Sequence, residues 1–132
     1  MPDPISLNPD GPHSPEHTAE VAAMFDACSR FLTYATMSGG LEYPSEVYRL
    51  LGEMYSATGR LPQLCGQLTA FLAAQKDSGT LYEASGADVG ERVTAGAGHL
   101  TLAANAAMTL TRALQDAQSA IAGLGVKGGP DA

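Results

Sequence analysis

The sequence contains no tryptophan, only two cysteines and few charged residues. Charged side chains make up 16% of the 132 residues, with 14 acids against 7 bases and a net charge of −7. This negative charge repels phosphate backbones and anionic lipid surfaces, and so disfavours general nucleic-acid or membrane binding. No apolar run approaches the roughly 20 residues of a membrane-spanning helix.

The first residues lack the basic and apolar regions of a cleavable signal peptide. We therefore expect a cytoplasmic protein, with secretion without a cleavable signal peptide as the alternative. Cys28 and Cys65 are far apart in the sequence and form no C-x-x-C pair. Unpaired cysteines usually behave as small hydrophobic residues, so both are predicted to be buried free thiols.

Motifs for catalysis are also missing. The sequence has no G-x-S-x-G, Walker A or H-E-x-x-H pattern, and no dinucleotide-binding G-x-G-x-x-G that follows a strand. His13 and His17 lie four residues apart near Glu16, a spacing that on a helix could serve zinc, but Pro15 lies between them and no other cluster supplies further ligands. His99 stands without an orienting carboxylate within one helical turn. We predict no enzyme activity, no metal site and no cofactor.

The N-terminal segment is rich in proline, with five prolines among its first fifteen residues. Proline removes backbone donors and blocks helix formation, so residues 1–14 are predicted to be a disordered arm. Ser14, Pro15 and Glu16 then supply a capping oxygen, a first-turn proline and an acid near the positive end of the helix dipole. A first helix is predicted to begin here and to end at Gly39.

Two further helices follow in the central part of the chain. Pro44 starts the second, which Gly59 is expected to end in a left-handed conformation. Pro62 fits the first turn of a third helix that ends near Lys76 and Gly79. The alternative is one helix kinked at Pro62.

The last helix gives the clearest pattern. Asp88 and Glu91 have capping-box spacing, and from Leu100 onward apolar residues recur at alternating steps of three and four. The helix is predicted from Asp88 to Ala122, roughly 50 Å at about 1.5 Å per residue. The preceding loop, residues 78–87, is expected to place Tyr82 on the core.

Together these patterns predict an all-α fold: a bundle of about four helices with a long, heptad-patterned C-terminal helix. Residues 15–124 are expected to form one domain, followed by a flexible tail at 125–132. The predicted core includes Phe31, Leu50, Leu68 and Leu110.

The heptad also predicts an interaction seam on the long helix. Such a regular apolar stripe exceeds what three shorter helices can cover, so part of it should meet a second copy or a helical protein partner. Coiled-coil packing and homo-oligomerisation are therefore expected. The predicted seam consists of Leu100, Ala103, Ala107, Leu110, Leu114, Ala117 and Ile121.

Residues 47–72 could alternatively form a helix-turn-helix with Gly59 in the turn. Few basic residues flank the would-be recognition helix, which leaves few phosphate contacts. A DNA-associated regulator is kept as the second alternative.

The runs Phe31-Leu32-Thr33-Tyr34-Ala35-Thr36 and Leu41-Glu42-Tyr43-Pro44-Ser45-Glu46-Val47-Tyr48-Arg49 resemble small alanine-rich helical proteins of high-GC actinobacteria. This resemblance covers residues 17–125 and implies an actinobacterial origin and a helical fold, but no activity. In composition the chain is also similar to the helical substrates of type VII secretion, which have paired long helices. It lacks their Trp-x-Gly turn and Tyr-x-x-x-Asp/Glu signal.

The sequence thus favours a non-enzymatic interaction or assembly protein. A small helical substrate of actinobacterial type VII secretion is the alternative.

Overall fold

The computed structural model describes residues 4–129, where α-helices are the only long regular elements. The all-α class and the long C-terminal helix are confirmed. Residues 1–3 of the predicted arm and 130–132 of the predicted tail lie outside the described residues. The helices are α1 (Pro15–Met37), α2 (Pro44–Thr58), α3 (Leu61–Asp77) and α4 (Val89–Ile121). The chain divides into two compact units, residues 1–42 and 43–132.

The first unit contains an irregular segment followed by α1. Residues 4–13 form no helix, and the ring of His17 donates a hydrogen bond of 2.7 Å from Nε2 to the Ser6 carbonyl oxygen. α1 begins as predicted, because Ser14 Oγ accepts a hydrogen bond of 3.0 Å from the His17 N–H and Pro15 occupies the first turn. Local capping chemistry therefore sets this helix start.

α1 leaves its large apolar side chains exposed. It contains no buried residue, and Phe31 and Met37 are 70% and 76% exposed. The prediction that Phe31 is a core residue is therefore wrong. Cys28 is a free, exposed thiol, which also contradicts its predicted burial.

In the second unit, α2 and α3 are separate helices joined by Gly59 and Arg60. Both linking residues keep right-handed helical backbone angles, and the Gly59 N–H donates a hydrogen bond of 3.0 Å to the Tyr55 carbonyl. The interruption follows from Pro62, which has no N–H and crowds the preceding turn. The predicted left-handed conformation of Gly59 is wrong, since its φ is −63°.

The loop between α3 and α4 is organised by Glu83. Its Oε2 accepts hydrogen bonds from Ser85 Oγ at 2.5 Å, from the Ser85 N–H at 3.0 Å and from the Ala87 N–H at 2.7 Å. These bonds, led by that of the Ser85 hydroxyl, lower the pKa of Glu83 below its usual value. Tyr82, predicted to pack on the core, is 87% exposed.

α4 begins as predicted, because Asp88 Oδ2 accepts a hydrogen bond of 2.9 Å from the Glu91 N–H. Both α2 and α3 pack against α4 and contact each other little. Within residues 4–129, Ala107 is the only buried hydrophobic residue, at 7% exposed. The second unit is therefore a helical hairpin whose two sides, α2–α3 and α4, meet along a thin interface.

Two other predicted core residues of this unit are largely exposed. Leu68 is 48% exposed and Leu110 is 46% exposed, which contradicts their assignment to the core of the chain. Leu50 is half-buried. The large apolar residues of the hairpin thus lie mainly beside its interface, whereas the most buried position holds an alanine.

Candidate interaction surface

α4 runs antiparallel to α2 and α3. At the middle of the hairpin, Thr111 Oγ1 donates a hydrogen bond of 2.7 Å to Thr58 Oγ1. At the beginning of α4, a Cβ built on Gly90 would lie 3.7 Å from Cε of Lys76, near the end of α3. Residue numbers therefore fall along α4 as they rise along α2 and α3, and this fixes the register of the hairpin.

The facing residues repeat with the spacing of packed helices. Steps of four and three alternate along α4. On α2–α3 the facing positions recur at steps of three, four or seven, and they continue across the junction because both linking residues remain helical. We call these partly or fully buried positions the hairpin interface. On α4 they are Val93, Ala97, Leu100, Ala104, Ala107, Thr111, Leu114, Gln118 and Ile121; on α2–α3 they include Val47, Leu51, Thr58, Leu61, Cys65, Thr69 and Leu72.

The structure divides the predicted interaction seam between two neighbouring stripes of α4. Leu100, Ala107, Leu114 and Ile121 lie in the hairpin interface, whereas Ala103, Leu110 and Ala117 are exposed on the adjacent stripe. At the alternate positions the hairpin interface uses Ala104, Thr111 and Gln118 instead. Sequence reasoning missed these three because a small or polar side chain carries little hydrophobic signal.

One edge of the hairpin interface carries hydrogen bonds between its two sides. Besides the bond between Thr111 and Thr58, Gln118 Nε2 donates a hydrogen bond of 3.1 Å to the Tyr48 carbonyl oxygen. A Cβ on Gly52 would lie only 2.7 Å from that Nε2, so glycine makes room for the glutamine. These contacts join the two sides through specific hydrogen bonds.

The opposite edge is apolar and open. Its residues immediately precede hairpin-interface residues, and equivalent positions of two antiparallel helices emerge at the same edge of the pair. We call this edge the open face, and none of its residues is charged. The open face consists of Leu50, Ala57, Leu64 and Phe71 on α2–α3, and of Gly96, Ala103, Leu110 and Ala117 on α4.

Exposure of the larger open-face residues is substantial. Leu64 is 48% exposed, Leu110 46% and Phe71 62%, and space beside Gly96 is empty, since no atom lies within 4 Å of a Cβ built there. Leu64 and Phe71 both belong to α3. Their recurrence at helical spacing was visible in the sequence, but which neighbour covers them was not.

Polar clusters offer less chemistry. Across residues 4–129, no three His, Cys, Asp or Glu side chains come together closely enough to hold a metal ion. The ring of His13 donates from Nε2 to the Pro9 carbonyl oxygen at 3.0 Å, and His99 lies exposed on α4. A cleft of about 300 Å³ at the end of the hairpin is lined by residues 44, 45, 48 and 121–125, none of which is charged.

For residues 4–129, no helix combines the length and hydropathy that a membrane-spanning segment requires. Comparison with known proteins finds no family model, curated protein or solved structure that matches the chain. The surface chemistry of the hairpin therefore carries the functional argument.

Proposed function

We propose that this chain is a non-enzymatic interaction or assembly protein that associates through the open face of its hairpin. The observation that supports the proposal is the contrast between Ala107, which alone is buried among residues 4–129, and the exposed Leu64, Phe71 and Leu110. Contiguous exposed apolar surface on a folded protein is typical of protein–protein contact sites.

The energetic reason is the exposed apolar area. Burying a leucine or phenylalanine side chain contributes about 1.5–3 kcal/mol relative to leaving it in water. A hairpin with a thin interface gains little of this on its own, and a partner helix on the open face would supply the rest. The predicted bundle of four helices and the coiled-coil packing of α4 would then be completed by that partner.

A charge on the open face tests the proposal. We expect Leu110→Glu to reduce self-association in size-exclusion chromatography, because association would bury an unpaired carboxylate. Met108→Glu is the matched control, since Met108 is a large, 53% exposed α4 residue that lies about 200° around the helix from Leu110. Circular dichroism would check that both variants keep their helix content. Equal elution of both variants and the unaltered protein as monomers would refute the proposal.

A second candidate function is that of a helical substrate of actinobacterial type VII secretion. The observation that favours it is the antiparallel pairing of α2–α3 with α4, since paired long helices are typical of those substrates. The alternative location is then outside the cell, whereas the interaction protein is proposed to be cytoplasmic. Immunodetection in culture medium, with and without an active secretion system, would separate the two.

The helix-turn-helix alternative has less support. α2 and α3 are joined by only two residues, and both pack along α4, whereas DNA-binding pairs cross at about 90–120° after a turn of three or four residues. Lys76, in the last turn, is the one base within α3, and Arg60 directly precedes the helix. A mobility-shift assay with random duplex DNA at low salt should therefore show no complex.

A further inference from the structure

We infer that the open face binds the open face of a second copy, with the two hairpins pointing in the same direction and each α4 lying over α2–α3 of the other copy. This inference rests on the proposed function and specifies its partner. The resulting contact would be a core of four helices, two from each copy. Its basis is the size pattern of the residues across the open face.

Large and small side chains alternate across the open face in every row. The two register contacts, Thr58 with Thr111 and Lys76 with Gly90, place Leu64 level with residues 102–105 of α4, a stretch that includes Ala103. Three further rows follow at steps of seven residues. In each row one member is large and the other small: Leu50 with Ala117, Leu110 with Ala57, and Phe71 with Gly96.

If two copies are related by a twofold axis parallel to the hairpin, their open faces are complementary in shape. Rotation about that axis exchanges left and right without changing height, so Leu64 of one copy meets Ala103 of the other. Likewise Phe71 meets Gly96, where space for a side chain is empty. Each large side chain then fills a hollow on the partner, as close packing requires.

The reversed arrangement packs worse. If the second copy were turned end over end, Leu50 would meet Phe71 of the other copy, and Gly96 would meet Ala117. In these end rows two large side chains would collide and two small ones would leave a void, and both effects are destabilising. Only the middle rows, Leu64 with Ala57 and Leu110 with Ala103, would still pair a large side chain with a small one.

Charge and area agree with a second copy as the occupant. Two chains of net charge −7 repel each other, but the open face contributes no charge to the contact. The open-face residues run from 50 to 71 and from 96 to 117, so the open face is about 32 Å long and, across two adjacent helices, about 20 Å wide. Its area of roughly 640 Å² per copy, or about 1,300 Å² for the pair, lies at the low end of the ~1,200–2,000 Å² of a stable interface.

Cross-linking of mixed single-cysteine chains tests the arrangement. In a background of Cys28→Ser and Cys65→Ala, chains carrying Leu64→Cys are mixed with chains carrying Ala103→Cys and oxidised mildly. We expect the mixed disulfide dimer to form, because these positions meet only in the same-direction arrangement. The matched control mixes Leu64→Cys chains with Ala57→Cys chains, which would meet only in the reversed arrangement.

A second test exchanges the sizes of two side chains that are inferred to meet, and it does not depend on disulfide geometry. Ala103→Phe should weaken association roughly tenfold or more, because it collides with Leu64 of the other copy. Adding Leu64→Ala to the same chain should restore association. A merely sticky apolar patch would instead bind more tightly with the added phenylalanine.

The outcomes separate this inference from the proposed function. A dimer that cross-links through the control pair, or that Ala103→Phe strengthens, would overturn the arrangement while the interaction role stands. If the protein is monomeric and cysteines placed on the open face resist chemical labelling, another part of the same chain covers that face. This result would overturn both the proposed function and the inference. Monomers that associate only with a different protein would overturn the second copy as occupant.

Discussion

Thr111 donates its hydroxyl hydrogen bond to Thr58 across the middle of the hairpin, at 2.7 Å and in a partly buried position. Thr58 Oγ1 in turn donates a hydrogen bond of 3.4 Å to the Tyr55 carbonyl oxygen. The two hydroxyl groups lie opposite each other in only one alignment of the helices. Their hydrogen bond therefore favours that alignment of α2–α3 with α4.

Removal of one hydroxyl should therefore cost more than removal of both. We predict that Thr111→Val lowers the free energy of unfolding by about 1 kcal/mol, whereas the double variant with Thr58→Val is closer to neutral, because no polar group is then left without its partner. Thr109→Val is the control, since its hydroxyl bonds only to its own helix. Urea denaturation of the unaltered protein, both single variants, the double variant and the control measures the coupling, and purely additive effects would contradict it.

Ala107 should tolerate no larger side chain. We predict that Ala107→Leu lowers the free energy of unfolding by about 1–3 kcal/mol, because the buried position between α4 and α3 has no space for three more carbons. Ala106→Leu, one residue away and exposed, should change it by less than about 0.5 kcal/mol. Thermal denaturation would reveal the difference, and equal effects would mean that the hairpin interface is misassigned.

Glycine replacements should separate helix propensity from packing. Gly66→Ala places its Cβ in open space within α3 and should stabilise by about 0.5–1 kcal/mol. Gly52→Ala should raise the free energy of unfolding by less, because its Cβ displaces the Gln118 amide from the Tyr48 carbonyl oxygen. In a Gln118→Ala background the two replacements should become equal in denaturation experiments. A full gain from Gly52→Ala alone would show that the glutamine contact is unimportant.

The pH dependence of the loop should follow Glu83. Its folded pKa is lowered, so its contribution to stability is present above the usual glutamate pKa and is lost as pH falls through the lowered value. NMR titration should give a Glu83 pKa below that of a free glutamate. The Ala87 amide should exchange faster below that pH, and Glu83→Gln should remove this dependence. An ordinary pKa would contradict the three hydrogen bonds.

Local signals in the sequence predicted the helices well. The starts at Ser14 and Asp88 were predicted because a capping side chain bonds to amides only a few residues away. The end of α4, predicted at Ala122, is observed at Ile121. Such features depend on neighbouring residues alone.

The faces of the helices could not be predicted equally well. Apolar periodicity favours the largest residues, so it placed Leu68 and Leu110 in a core, although the hairpin interface uses Ala104, Thr111 and Gln118. Which of two adjacent stripes meets the neighbouring helix depends on tertiary register, and single-helix spacing does not contain that information. The open face emerges only when both sides of the hairpin are aligned.

Sedimentation equilibrium over a dilution series tests the central claim that the open face joins two copies. We predict a mass of twice 13.6 kDa at high micromolar concentration that falls toward the monomer mass on dilution. Leu110→Glu should shift this transition to higher protein concentration, whereas Met108→Glu should not. A mass that stays at 13.6 kDa throughout the series would contradict the claim.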